Sequence, residues 1–246
     1  MDKITIITTF KDDYNDLLLT IDSILLQKDI KIFHILLNAS NTPSTTPRML
    51  KYFSSDYVSY YDTPCMKQYE CINIGIGKVK TERYLLINTG TTFITKSSII
   101  DALCDADDFD LIINSAVVTN KKNDFLVDKI DKKEPLFGMH HEAFIYYNRC
   151  IKHDLSIGHI ADLDFMSKHL KAAEDRVKFN IKPLIFYPRG GLSDVTPIDS
   201  ARVFNTVVIS YRIFFRGQFK TSYRLLHRAV KDFFLLIFGR VGNYEQ

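Results

Sequence analysis

Apolar runs of strand length alternate with stretches of helical periodicity from Ile4 to Phe93, and this alternation constrains the fold more than any other feature of the chain. Ile4 to Thr9 reads as a buried strand. Tyr14 to Gln27 reads as a helix with Leu17, Leu18, Ile21, Ile24 and Leu25 on one face. "KIFHILL" is a second strand ending at Asn38, and the turn-rich "NASNTPSTTPR" follows. Tyr57 to Tyr61 is a short third strand, Lys67 to Lys78 a helix, and "RYLLINTGTTF" (Arg83 to Phe93) opens as a fourth, buried strand that runs into turn residues. The β-α-β alternation predicts a parallel, doubly wound α/β sheet. Ligands bind outside the carboxyl ends of such strands. The fourth strand ends there in amides, hydroxyls and a glycine, with no charge.

Beyond Thr92 the pattern changes. "DLIINSAVV" and "FLVDKI" flank "TNKKND" as a hairpin, and "EAFIYYN" is another strand. Ile160 to Ala173 is helical, "VKFNIKPLIFY" is extended, and the chain from Pro197 onward is helical and basic. Ala201 to Arg240 carries eight Lys or Arg against the single acid Asp232, so this segment is +7 in a chain whose total is +3. A basic end on a mildly acidic body suits a phosphate-bearing surface. No apolar run approaches the ~20 residues of a membrane-spanning helix. No nucleic-acid motif is present, so nucleic acid ranks last among partners. Four Cys lack CxxC or zinc spacing, and no signal-peptide pattern opens the chain. The expectation is a cytoplasmic protein with reduced, mostly buried thiols.

Several local motifs have plain structural explanations. "GIG" at Gly75 to Gly77 lacks the third glycine of a dinucleotide fingerprint and suits a helix C-terminal cap. "DADDFD" (Asp105, Asp107, Asp108, Asp110) reads as a solvated acidic loop. His140 and His141 read as polar lining, since no zinc spacing accompanies them. Asp162 and Asp164 open a helix, where the dipole favours acids.

The order of these features resembles the family 2 glycosyltransferases of bacterial O-antigen, capsule and exopolysaccharide synthesis. The likeness covers about residues 3 to 195. "ITIITTFKDDYNDLLLTIDSILLQ" is similar to the family's opening strand and helix, which ends in a Ser-hydrophobic-x-x-Gln pattern, here Ser23 to Gln27. "YECINIGI" resembles "YDAMNKGI", and "YLLINTGTTF" falls where the family has "NSDD" or "NSGD". "HHEAFIY" is similar to "HQAxFF", "ADLDF" to "DYDL", and "RGGLS" (Arg189 to Ser193) to a "GGxS" element.

The resemblance implies a GT-A fold over residues 1–196, a mixed and mostly parallel sheet flanked by helices, with basic helices over 197–246. It implies a nucleotide-sugar donor, a saccharide acceptor that is lipid-linked, and inversion at the anomeric carbon with Asp162 as general base. Thr8, Thr9, Phe10, Asn38, Lys67, Asn73, Asn88, Thr89, Gly90 and Thr91 fall at donor-binding positions. His141, Glu142 and Arg189 fall on the acceptor and diphosphate side. The place of action would be the inner face of a bacterial plasma membrane, with the basic helices against its anionic surface.

The chain departs from the family at the metal-binding tip. Gly90 and Thr91 stand where the family has aspartates, Asn38 where an aspartate often meets the base, and Cys65 where the family has an acidic motif. Without carboxylates the tip alone cannot hold magnesium or manganese, so no metal ligand is assigned, while a divalent metal held mainly by the diphosphate stays open as the alternative. Lys67 replaces a glycine of the family motif. It is either a phosphate-binding cation or a solvated lysine at a helix start. Two other readings stand beside an active enzyme: a degenerate, inactive GT-A protein that binds a nucleotide or partner, and a membrane-surface adaptor that uses only its basic end.

Overall fold

A computed structural model describes residues 2–40, 51–64, 66–119, 125–133, 135–136, 139–188, 200–215 and 219–238. The first strands are β1 (Lys3–Phe10), β2 (Lys31–Asn38), β3 (Val58–Asp62) and β4 (Arg83–Leu86). They are followed by β5 (Thr92–Phe93), β6 (Leu111–Thr119), β7 (Phe125–Val127), β8 (Phe144–Tyr147) and β9 (Val177–Tyr187). They form one sheet in the order β3-β2-β1-β4-β8-β6-β9-β5, with β7 beside β6. The pairings run β1 to β4, β6 and β9 in one direction and β5, β7 and β8 in the other. The sheet is therefore mixed and mostly parallel, as expected.

Helices α1 (Tyr14–Leu25), α2 (Gln68–Ile76), α3 (Ser98–Leu103) and α4 (Ala161–Ala173) accompany the sheet, and α5 (Ser200–Phe214) and α6 (Phe219–Phe238) end the described chain. From Ile4 onward β1 is buried along its length, as an apolar central strand must be. Ile4, Ile6, Ile7, Leu85, Ile112, Phe144 and Ile145 are core residues that join the two halves of the sheet. Pro183 interrupts β9 at a shift of register against β6, between the Asn114–Asn180 and Ser115–Pro183 pairs. A proline is tolerated in a strand at such a bulge because it has no N–H for the ladder.

Several expectations are corrected. The apolar opening of "RYLLINTGTTF" is a strand as expected, β4 ending at Leu86, but its last residues Thr92–Phe93 form a further strand, β5, that pairs with β9. Gly77 is the C-cap of α2, but with ordinary right-handed φ, whereas Gly75 lies inside the helix. A Cβ on Gly75 would sit 2.6 Å from Ile7 Cγ2 and 2.9 Å from Leu37 Cδ1, so this glycine lets α2 lie close on the sheet. Asp110 of the acidic stretch is buried and ion-paired to Arg149 and Arg176. Of the described cysteines only Cys71 is buried, while Cys104 and Cys150 are exposed. Cys65, Arg189 with the rest of "RGGLS", and residues 120–124 of the hairpin turn lie outside the described residues.

The two glycines of "GIG" separate packing from capping. Gly75→Ala should cost about 1–3 kcal/mol by overpacking. That would lower the melting temperature by several degrees, roughly 2–4 °C per kcal/mol in a chain of this size. Gly77→Ala should be neutral, because its Cβ would meet nothing closer than 3.4 Å. Equal melting temperatures for the two variants would contradict the packing role.

Candidate active site

The strand ends set the stage. β1 and β2 pair as far as Phe10 and Asn38, three residues beyond the last β1–β4 pair at Ile7 and Leu86. After β4 the chain turns. Thr91 N–H donates to the Asn88 carbonyl at 3.3 Å, and Gly90 has φ +83° at the position where a type II turn requires it. This tip sits on the start of α1. Gly90 N–H donates to the Asp16 carbonyl, Thr20 Oγ1 donates to the Thr91 carbonyl at 3.0 Å, and the Thr89 hydroxyl donates to Asp13.

A buried carboxylate ties the tip to the other half of the site. Glu142 is fully buried, in the 3-10 turn His141–Ala143 just before β8. Its Oε1 accepts from Asn88 Nδ2 at 2.7 Å and its Oε2 from Asn88 N–H at 3.1 Å. Asn88 Oδ1 accepts in turn from Gln68 Nε2 at 2.9 Å, at the first turn of α2. The neighbouring His141 places Nδ1 3.6 Å from Asp162 Oδ2. Asp162 stands at the start of α4 with its side chain one-third exposed, and Oδ1 accepts from Leu163 N–H at 2.8 Å. Next to Gln68, Tyr69 lies within the field of the Asp162 carboxylate and stacks on His153. These contacts close a ring through α2, the β4 tip, the 3-10 turn and the start of α4.

The electrostatics follow from that ring. Burial alone would raise Asp162, but the facing His141 imidazole outweighs it, and its pKa is lowered. Burial alone would lower His141, yet the facing Asp162 carboxylate and the Glu142 charge raise it. His153 is sandwiched between Tyr69 at 4.9 Å and Phe165 at 4.1 Å, and burial pushes it down to about 3. It is a neutral wedge that holds the aromatic wall behind Asp162.

The sequence-assigned residues thus fall into groups. Asp162, His141 and Glu142 come together. Lys67 is exposed at the N-cap of α2, where its N–H is held by Glu70 Oε2 at 2.8 Å, and no described residue pairs with its ammonium. Four residues placed at the donor have hydrogen-bond partners or cover inside the protein. The Thr8 hydroxyl pairs with His34 Nε2 at 2.9 Å in the sheet interior. Asn73 exchanges both amide atoms with the His153 backbone, at 2.9 and 2.8 Å. Asn88 is held by Gln68 and Glu142, and Thr91 is buried under the turn. Thr9 and Phe10 are buried at the end of β1, with Phe10 edge-on to Tyr14.

Asn38 is buried and reaches outward through partners. Its Nδ2 donates to Tyr60 Oη at 2.8 Å and to Asp62 Oδ1 at 3.1 Å. Asp62 pairs with Asn38 in register and is exposed at the strand ends. Sequence reasoning missed it. Its place beside Asn38 comes from the β2–β3 register, which the sequence of "VSYYD" does not show. Gln68, Asp13 and His153 were missed as well, and no local pattern marks them.

The described residues do not make a metal cradle. No group of three His, Cys, Asp or Glu converges among them, and the oxygens at the tip are already engaged by Gln68, Asn88 and Thr89.

Comparison with known proteins fixes the fold. No family model matches the chain, and no curated protein matches it in sequence. Solved structures do match. The S. aureus TarS fragment 1–349 in complex with UDP superposes with a TM-score of 0.66 at 13% identity, covering 99% of this chain and 74% of that one. The same fragment with UDP-GlcNAc gives 0.67 at 12% identity, covering 99% and 75%. The mannosyltransferase PcManGT from Pyrobaculum calidifontis, in complex with GDP-Man and Mn2+, gives 0.64 at 12% identity, covering 93% and 73%. The chain has the GT-A glycosyltransferase fold. At these identities the likeness speaks for the fold alone.

The His141–Asp162 pair has a signature in pH. The lowered Asp162 contributes stability present above its unfolded value of 3.8 and lost as pH falls through its folded value. The raised His141 contributes stability present below 6.5 and lost as pH rises through its folded value. The stability gap between wild type and Asp162→Asn should therefore be widest between about pH 4 and 6.5 and narrow on either side. By NMR titration the His141 pKa should be lower in the variant than in wild type, because only the Glu142 charge then offsets burial. An unchanged His141 titration would show that the two groups do not communicate.

Proposed function

We propose that the chain is an inverting glycosyltransferase that moves a sugar from a nucleotide-sugar donor to a saccharide acceptor. The observation that supports it most is the Asp162 carboxylate. It is kept charged by His141 and partly exposed beside the strand ends of a GT-A fold. In this reaction the acceptor oxygen attacks the anomeric carbon while its proton passes to Asp162. The bond from that carbon to the diphosphate breaks, and the electron pair leaves with the nucleoside diphosphate. Asp164 is no substitute, since it is buried and ion-paired to Lys168 at 2.7 Å.

The leaving diphosphate needs positive charge or oriented donors. Lys67 serves as that cation from the N-terminus of α2, a helix end that itself favours anions. Arg189, outside the described residues, is assigned to the same side on the resemblance alone. We take the transfer to be independent of a carboxylate-held metal. The acceptor is lipid-linked, and the reaction belongs to surface polysaccharide synthesis at the inner face of a bacterial plasma membrane.

Asp162→Asn should lower transfer by roughly 10²-fold or more with donor affinity unchanged, as expected for loss of a general base. Lys67→Ala should lower it by ~10²-fold, the scale of removing one oriented stabilising group. Activity should survive excess chelator. Turnover by Asp162→Asn near that of wild type would reject the base. Loss with chelator and rescue by manganese would reject metal independence. Donor binding without turnover in either condition would favour the degenerate protein.

A further inference from the structure

Helices α5 and α6 form an antiparallel hairpin, locked where Ser210 Oγ meets the Ser222 carbonyl and hydroxyl at 2.8 and 3.0 Å. Arg212, Arg216, Lys220, Arg224 and Arg228 recur every four residues, a spacing that predicts a basic stripe on one long helix, but that stripe is not continuous. The helix breaks after Phe214, Arg212 turns to Asp154 at 3.0 Å, and Arg228 approaches Asp232 at 3.9 Å. Arg216 and the Lys220 side chain lie outside the described residues.

A different feature emerges. The inner face of the hairpin is buried: Ile209, Ile213 and Leu225 pack with Ile157 and Ala161 in one cluster. The opposite face is apolar as well, yet open. Phe204, Tyr211 and Phe215 are 67%, 67% and 74% exposed, and Tyr223 is 72% exposed with Leu226 and Val230 beside it. At about 100° per residue, Phe204, Tyr211 and Phe215 span an arc of roughly 40°, and Tyr223, Leu226 and Val230 one of roughly 60°. Taken from the Ser210–Ser222 contact, and with the helices running oppositely, both arcs turn to the same side of the hairpin, away from the body. Arg224 and Lys231 are exposed and fall on the outer flank of α6, about 80–100° from Tyr223.

We propose that this hairpin face docks on an anionic bilayer, with its aromatic and aliphatic side chains in the interface and the flanking Arg and Lys at the headgroups. An open apolar face with a cationic flank is the pattern of helices that lie in the interface without crossing it. No described helix is long and apolar enough to span a membrane. Charge decides between a bilayer and a second copy of the chain. Residues 201–240 are +7, so a second copy would bring like charge to the contact, whereas anionic lipid complements it. The inner face grips Ala161, the residue before Asp162, so docking would hold the start of α4 near the surface. That consequence rests on the lipid-linked acceptor proposed above, but the docking itself does not.

Flotation of the full chain with lipid vesicles, without donor or acceptor, therefore tests the docking independently of the transfer reaction. Binding to vesicles of phosphatidylcholine with phosphatidylglycerol should exceed binding to phosphatidylcholine alone by about tenfold or more, and should fall with salt. The triple variant Tyr211→Ser, Phe215→Ser, Tyr223→Ser should lose about tenfold or more on anionic vesicles while keeping its helix content and melting temperature. Arg224→Glu with Lys231→Glu should bring anionic vesicles to the level of neutral ones. Absence of flotation, salt-independent flotation, or an unaltered triple variant would overturn the proposal. So would a concentration-dependent dimer that the triple variant dissolves while neither protein floats.

Discussion

One buried carboxylate organises the site. Glu142 has no access to solvent, and both its oxygens are taken by Asn88. Removing either partner would leave a buried charge or donors unsatisfied, which costs more than the bond itself contributes. Through this contact the tip of β4 and the 3-10 turn before β8 cannot move separately. The same turn carries His141, and His141 holds Asp162. The position of the proposed base thus depends on a residue that need not touch any substrate.

The arrangement lets a buried region support a charge. Burial opposes ionisation of Asp162, and His141 supplies the compensation. A carboxylate held in this way is a weaker base than a free one, but the attacking hydroxyl becomes acidic as its bond to carbon forms, so a weak base in the right place suffices. Behind the pair, His153, Tyr69 and Phe165 form a stacked wall with a neutral imidazole at its centre. The hairpin closes the far side through Ile157 and Ala161. Base, wall and hairpin share the few residues between His153 and Phe165, so strain at the hairpin would be felt at Asp162.

Much of this was legible in the sequence. The parallel strands were fixed by apolar runs and turn residues, and β1 and α1 appear within a residue or two of expectation. Asp162 and His141 were singled out by the order of motifs along the chain, and the structure sets them side by side. What escaped was the partner of each polar residue. Asn73, Asn88 and Thr8 look like ligand contacts because amides and hydroxyls at strand ends and helix starts suit ligands. Their partners within the protein, His153, Glu142 and His34, lie 80, 54 and 26 residues away. No local pattern encodes such pairings. Gly75 escaped for the same reason: its neighbours Ile7 and Leu37 come from two other strands. The hairpin escaped because a four-residue charge spacing fits one long helix as well as two short ones, and only the break after Phe214 separates them.

The central claim is single displacement at the anomeric carbon with Asp162 as the base. The most direct measurement is the anomeric configuration of the product, read by NMR after incubation with a panel of UDP- and GDP-sugars and a saccharide acceptor. A glycoside with configuration opposite to the donor, formed by wild type and not by Asp162→Asn, is the expected result. A product that retains the donor's configuration would contradict it.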